Sequence, residues 1–112
     1  MPVYSQTQIF GSRRRTEILI LLALLENSYP SELTRLLEAP LYSVQTILGD
    51  LESQGIVASR RQGRMRIVSL DPRYFASKEL RSLLLRLAEA EPVLDGAAAT
   101  RRTRPRQTRR IQ

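Results

Sequence analysis

The run Ile18-Leu19-Ile20-Leu21-Leu22-Ala23-Leu24-Leu25 is apolar at every position. A helix built from it has no face that water can satisfy. Ser12 is a suitable N-cap ahead of it, so a helix is expected from about Arg13 to Glu26. The run is far shorter than the roughly 20 residues a membrane-spanning helix requires. Protein must therefore cover this helix on every side: its own domain on one and, most simply, a partner subunit on another. Ile18 and Leu22 are the positions expected at that contact.

The rest of the chain supplies the cover. With 112 residues there is room for one domain. Asn27-Ser28-Tyr29 interrupts the first helix, and Pro30 suits the first turn of a second, in which Leu33, Leu36 and Leu37 recur at helical spacing up to about Glu38. Ala39-Pro40 forces a stop. From about Leu41 a third helix turns Val44, Ile47, Leu48 and Leu51 inward and Tyr42, Ser43, Gln45, Thr46 and Gly49 outward, and Gly55 closes it. Ile56–Arg61 and Met65–Leu70 read as an antiparallel hairpin around Gln62-Gly63-Arg64. A last helix, from about Ser77 to Glu91, carries Leu80, Leu83, Leu84, Leu87 and Ala88 as a narrow stripe suited to helix pairing, and Pro92 stops it. From Gly96 onward no large apolar residue appears before Ile111, so this stretch is expected to be disordered. The expected organisation is an arm over 1–11, a folded domain over 12–95 and an Arg-rich tail over 96–112. The fold class is mainly α with a small β-hairpin.

Charge is informative in its placement. The chain carries +7 overall, and Arg101, Arg102, Arg104, Arg106, Arg109 and Arg110 lie in the tail, which leaves residues 1–95 close to neutral. Local patches therefore matter more than the total. Cysteine and histidine are absent, which excludes disulfides, thiolate chemistry, His general-base catalysis and the usual Cys/His metal sites. There is no Gly-rich phosphate loop and no conspicuous pairing of acids, so neither catalysis nor a cofactor is expected. No secretory leader pattern is evident at the start, and a cytoplasmic protein is expected.

Helix, turn, helix and basic hairpin, in that order, is how a small domain offers one helix to the DNA major groove and a wing to the flanking phosphates. The outward row Tyr42, Ser43, Gln45 and Thr46 holds short hydrogen-bonding groups and no Lys or Glu. Gln can pair bidentately with adenine, and Ser or Thr can serve base edges or phosphates. The wing candidates are Arg60, Arg61, Arg64 and Arg66, though strand alternation prevents all four from facing one duplex. Arg64, at the tip, is the first choice, and Arg61 the next. Arg13 and Arg14 lie in a helical first turn, where the macrodipole disfavours cations. Phosphate contact accounts for them as well as the good helix propensity of Arg does.

Several features in order resemble the winged helix-turn-helix repressors of the ArsR type and, more loosely, those of the MarR type. They are the Arg-rich, leucine-rich first helix, Ser31-Glu32-Leu33, Ser43-Val44, Leu48, Leu51-Glu52, Gly55-Ile56-Val57, the Arg60-Arg61-Gln62-Gly63-Arg64 wing and Leu70-Asp71-Pro72. The resemblance implies a homodimer paired through its first and last helices, with Ile18, Leu22, Leu80, Leu83, Leu84 and Leu87 at the interface. It also implies binding to a pseudo-palindromic operator in double-stranded DNA, usually as a repressor. Two departures stand out. Thr46 and Ile47 occupy positions where many relatives have an Arg-His pair, and the Cys and His ligands of metal-sensing members are missing, which removes metal sensing. Whether a small-molecule effector exists is left open. Two other readings compete: a winged-helix protein-interaction module, and a non-specific nucleic-acid-binding architectural protein driven by the tail.

Overall fold

The computed structural model describes residues 9–100. The first helix, α1 (Arg13–Leu25), starts where expected. Ser12 is extended, and its hydroxyl accepts the Arg15 amide proton at 3.0 Å, satisfying one of the donors a helix start leaves free. Pro30 at the first turn opens α2 (Pro30–Leu37), which ends at Glu38 in the left-handed region. After the Ala39-Pro40 break comes α3 (Leu41–Ser53), followed by Gly55 at φ +80°, a conformation that favours glycine. The strands β1 (Val57–Gln62) and β2 (Met65–Leu70) pair antiparallel, from Val57 opposite Leu70 to Gln62 opposite Met65. Their two-residue turn, Gly63-Arg64, has Gly63 at φ +65°. Ser28 forms an antiparallel bridge with Val68 through two backbone hydrogen bonds of 2.8 and 3.0 Å, which anchors the hairpin to the α1–α2 connection. Then follow α4 (Ser77–Ala88) and a fifth helix, α5, over residues 92–100.

The expectation that α1 needs a second chain is corrected. Residues 18–22 are at most 1% exposed within the single chain. The reason is its central position: α1 packs against α4, β2 and α2, so the hairpin and the neighbouring helices share the task assigned to a partner. Ile18, Leu22 and Leu84 face this core and are closed to a partner's side chains. Leu80 and Leu87 are half-buried at its edge, and among the residues expected at a dimer contact Leu83 alone is exposed.

The second correction concerns the chain beyond Pro92. In place of disorder from Gly96, residues 92–100 are helical, and Leu94 and Ala98, one turn apart, join the core. Pro92 begins this helix, where its missing N–H costs nothing, and Ala97-Ala98-Ala99 is strongly helix-favouring. A side chain as small as Ala98 can be fully buried in the core without any large apolar residue between Gly96 and Ile111. The arginines of residues 101–112, like the first eight residues of the arm, lie outside the described residues. Among the described residues no helix is long and apolar enough to cross a membrane.

Between α4 and α5, Glu91 is buried, and its Oε2 has no hydrogen-bond partner among the described residues. Burial holds its carboxyl above the usual range; the Arg13 charge opposes the rise and the Glu17 charge adds to it. A carboxyl raised in the folded state stabilises fully below its ordinary value, about 4.3, and that contribution is lost as pH rises through the folded value. Glu91→Gln is therefore expected to raise Tm by a few degrees at pH 7 and to match the wild type near pH 3.5. Thermal unfolding at the two pH values checks this; a lower Tm for the variant at pH 7 would contradict it.

Candidate nucleic-acid interface

Inward anchoring of α3 decides what it presents outward. Val44, Leu48 and Leu51 lock it to the core, which turns Tyr42, Gln45, Thr46 and Gly49 to solvent as one row at i, i+3, i+4 and i+7. Tyr42 is 78% exposed, a high value for an aromatic ring. Ser43 is half-buried beside the row. The Thr46 hydroxyl donates to the Tyr42 carbonyl at 2.9 Å, so it can offer a ligand only its acceptor side. At Gly49 a Cβ would meet nothing within 4 Å, so the backbone there is open to close approach.

Strand pairing sorts the wing arginines. Residues directly opposite in an antiparallel pair share a face. Arg61 and Arg66 therefore lie on the face of Val57, Ser59 and Val68, while Arg60 shares the other face with Ile67 and Gln62. The first face is turned toward α3: Ser59 Oγ donates to Glu52 Oε2 at 2.5 Å, and Arg66 Nη2 donates to Glu52 Oε1 at 2.8 Å. Arg66, expected as a wing contact, is thus half-buried and tied to the last turns of α3. Arg60 donates to Gln62 Oε1 at 2.8 Å and stays exposed, as do Arg61 and Arg64. The arrangement separates a braced hairpin base from a cationic outer end.

Ion pairing sharpens this division. Among the described residues eight arginines pair with an acid: Arg13 and Arg14 with Glu17, Arg15 with Asp50, Arg35 with Glu32, Arg66 with Glu52, Arg73 with Asp71, Arg81 with Glu26, and Arg86 with Glu89. Arg60, Arg61 and Arg64 form no ion pair with described residues, and all three lie on the hairpin. For Arg13 and Arg14 the Glu17 carboxylate, at 3.3 and 3.0 Å, offsets the unfavourable helix-start position without any phosphate. Arg14 also donates to the Leu37 carbonyl at 3.4 Å, which ties α1 to the end of α2.

A groove of about 400 Å³ joins the two halves of the candidate surface. Gln45 from α3 and Arg64 from the wing tip line it together, with Ser31 from the first turn of α2 and Leu41 at the start of α3. Ser31 is an exposed hydroxyl at a helix N-terminus, where free amides favour an anion. In the sequence it entered only the resemblance, within Ser31-Glu32-Leu33, and not the candidate site. Its readable signal was a serine directly after the helix-opening Pro30.

Glu52 is the bracing group. The Ser59 hydrogen bond first, and Arg66 after it, hold its carboxyl below the usual carboxylate range against the opposing effect of burial. A lowered carboxyl contributes stability that is present above its ordinary value and lost as pH falls through the folded one. Both side chains of the Glu52–Arg66 pair are about a third exposed, so solvent screening limits its worth to about 1 kcal/mol or less. Glu52→Gln is expected to lower Tm at pH 7, with the difference closing below pH 4. It should also speed amide exchange in β1 and β2 more than in α1. Exchange unchanged in the hairpin would remove Glu52 as its brace.

The chain matches no family model, no curated protein and no solved structure.

Proposed function

We propose that this chain is a winged-helix DNA-binding regulator of transcription, the class its sequence resembles in the ArsR-type repressors. In this reading α3 enters the major groove, with Tyr42 and Gln45 nearest the base edges and Ser43 and Thr46 at its margin. Arg61 and Arg64 meet flanking phosphates or the minor groove, and Arg60 reaches phosphate from the opposite face of the hairpin. The observation that carries the reading is the ion-pair pattern: among the described residues, the exposed end of the hairpin holds the three arginines that pair with no acid, and Arg64 shares a groove with Gln45. Unpaired guanidinium groups beside an exposed, uncharged helix row suit a polyanion with readable edges.

The regulator is homodimeric in this proposal, paired through the outer side of α4, where Leu83 is exposed and Leu80 and Leu87 are half-buried. Two copies related by a two-fold axis would read the halves of a pseudo-palindromic operator. Light scattering at micromolar concentration is expected to give twice the 12.8 kDa chain mass, and a monomer mass would refute the pairing.

Selection of bound duplexes from random DNA tests the function directly. The expected result is one enriched, pseudo-palindromic motif, bound in preference to random duplex at moderate salt. Equal binding to all duplexes would reduce the protein to a non-specific nucleic-acid binder. Capture of a stoichiometric protein partner that survives high salt, with no duplex retained, would favour an interaction module.

A further inference from the structure

A second cavity, of about 390 Å³, lies away from the groove, among the start of α1, the end of α3 and the start of α4. Leu19 and Leu51, both fully buried, form its floor, and Phe10, Ile56, Tyr74 and Leu80 its walls. Its volume and apolar lining fall within the range of small-molecule sites. The cation among its lining residues is Arg15, whose Nη2 pairs with Asp50 at 2.5 Å. The Arg15 Nε and Nη1 hold no hydrogen bond or ion pair with described residues, and Gln54, also on the wall, donates to the same Asp50 oxygen at 3.3 Å.

We infer that this cavity is a binding site for a small monocarboxylate with an apolar body. Leu19, Leu51 and Leu80 would enclose the body, and the free edge of the Arg15 guanidinium would hold the carboxylate. A guanidinium can donate to two carboxylates on different edges, so Asp50 need not leave. The chemistry excludes the neighbouring classes. A purely apolar molecule would cover Nε and Nη1 without giving them an acceptor, and a polyanion would crowd the Asp50 carboxylate against a single cation.

The consequence for regulation rests on the DNA-binding reading. The Arg15–Asp50 pair is one link between α1 and α3, so a carboxylate drawing on Arg15 loosens that link while Val44, Leu48 and Leu51 keep α3 seated on the core. Binding of the acid is then expected to lower affinity for the selected duplex severalfold.

Titration calorimetry on the full chain, without DNA, separates the two claims. Octanoate and 2-naphthoate are the probes, with octan-1-ol and 2-naphthol as uncharged counterparts. Saturable one-to-one binding by at least one acid is expected, about tenfold tighter than its alcohol, the margin of one charge-assisted hydrogen bond. Preference for octanoate assigns an acyl body, and preference for 2-naphthoate an aromatic one. Arg15→Gln should erase the acid's advantage while leaving alcohol binding and the circular dichroism spectrum unchanged. Leu80→Trp should fill the cavity and abolish both; if it does not fold, the Arg15→Gln comparison decides. The proposal is overturned if neither acid binds saturably at millimolar concentration, if the alcohols bind as tightly as the acids, or if Arg15→Gln binds the acids as the wild type does. A ligand that binds yet leaves duplex affinity unchanged overturns the regulatory step.

Discussion

Replacement of Arg60, Arg61 and Arg64 together by alanine is expected to weaken duplex binding by about tenfold for each arginine that touches DNA. The dependence of log affinity on log salt should flatten by about 0.9 for each phosphate that is no longer neutralised. All three side chains are exposed and pair with no acid among the described residues, so their removal strands no described buried acid and fold stability should hold. The matched control is Arg73, Arg81 and Arg86, equally basic but paired with Asp71, Glu26 and Glu89. Their replacement should leave the salt slope nearly unchanged. Anisotropy titrations over a salt series make the comparison, and equal slopes for the two triple variants would remove the wing from the interface.

The second large effect concerns α1. Leu22→Ala is expected to destabilise the fold by about 2–5 kcal/mol, as truncation of a fully buried leucine does. That is a large share of the roughly 5–15 kcal/mol by which domains are stable. Because Leu22 is covered by its own chain, the destabilisation should be the same at low and high protein concentration. Urea unfolding across a hundredfold dilution series checks both claims. A cost that grows on dilution would return Leu22 to a subunit contact.

Element starts and stops were legible in the sequence because their causes are local: Ser12 caps α1, Pro30 opens α2, Ala39-Pro40 separates α2 from α3, and Gly55 and Gly63 take the positive φ angles their turns require. The outward row of α3 followed from helical period alone. Arg66 did not follow, because its partner Glu52 lies on another element and nothing near Arg66 in the chain marks the pairing. The same holds for Arg15 and Asp50, which meet only when α1 and α3 pack. Glu91 reads in sequence as an ordinary charged residue at a helix end, and burial between elements is what raises its carboxyl.

The eight-residue apolar run contained a true constraint and an open choice. Its composition required that α1 be enclosed on every side, since each exposed leucine would leave apolar surface in water. It could not specify the enclosing surface. Hydrophobic burial is non-directional, so a partner subunit and the chain's own hairpin and helices satisfy it equally. Packing resolved the choice in favour of the single chain, with α4, β2 and α2 around α1 and with Leu94 and Ala98 of α5 extending the same core. Local chemistry dictated where helices and turns begin and which faces are apolar. Contacts between residues distant in the chain dictated which of those faces meet, and so which of the described arginines pair with an acid and which meet none among the described residues.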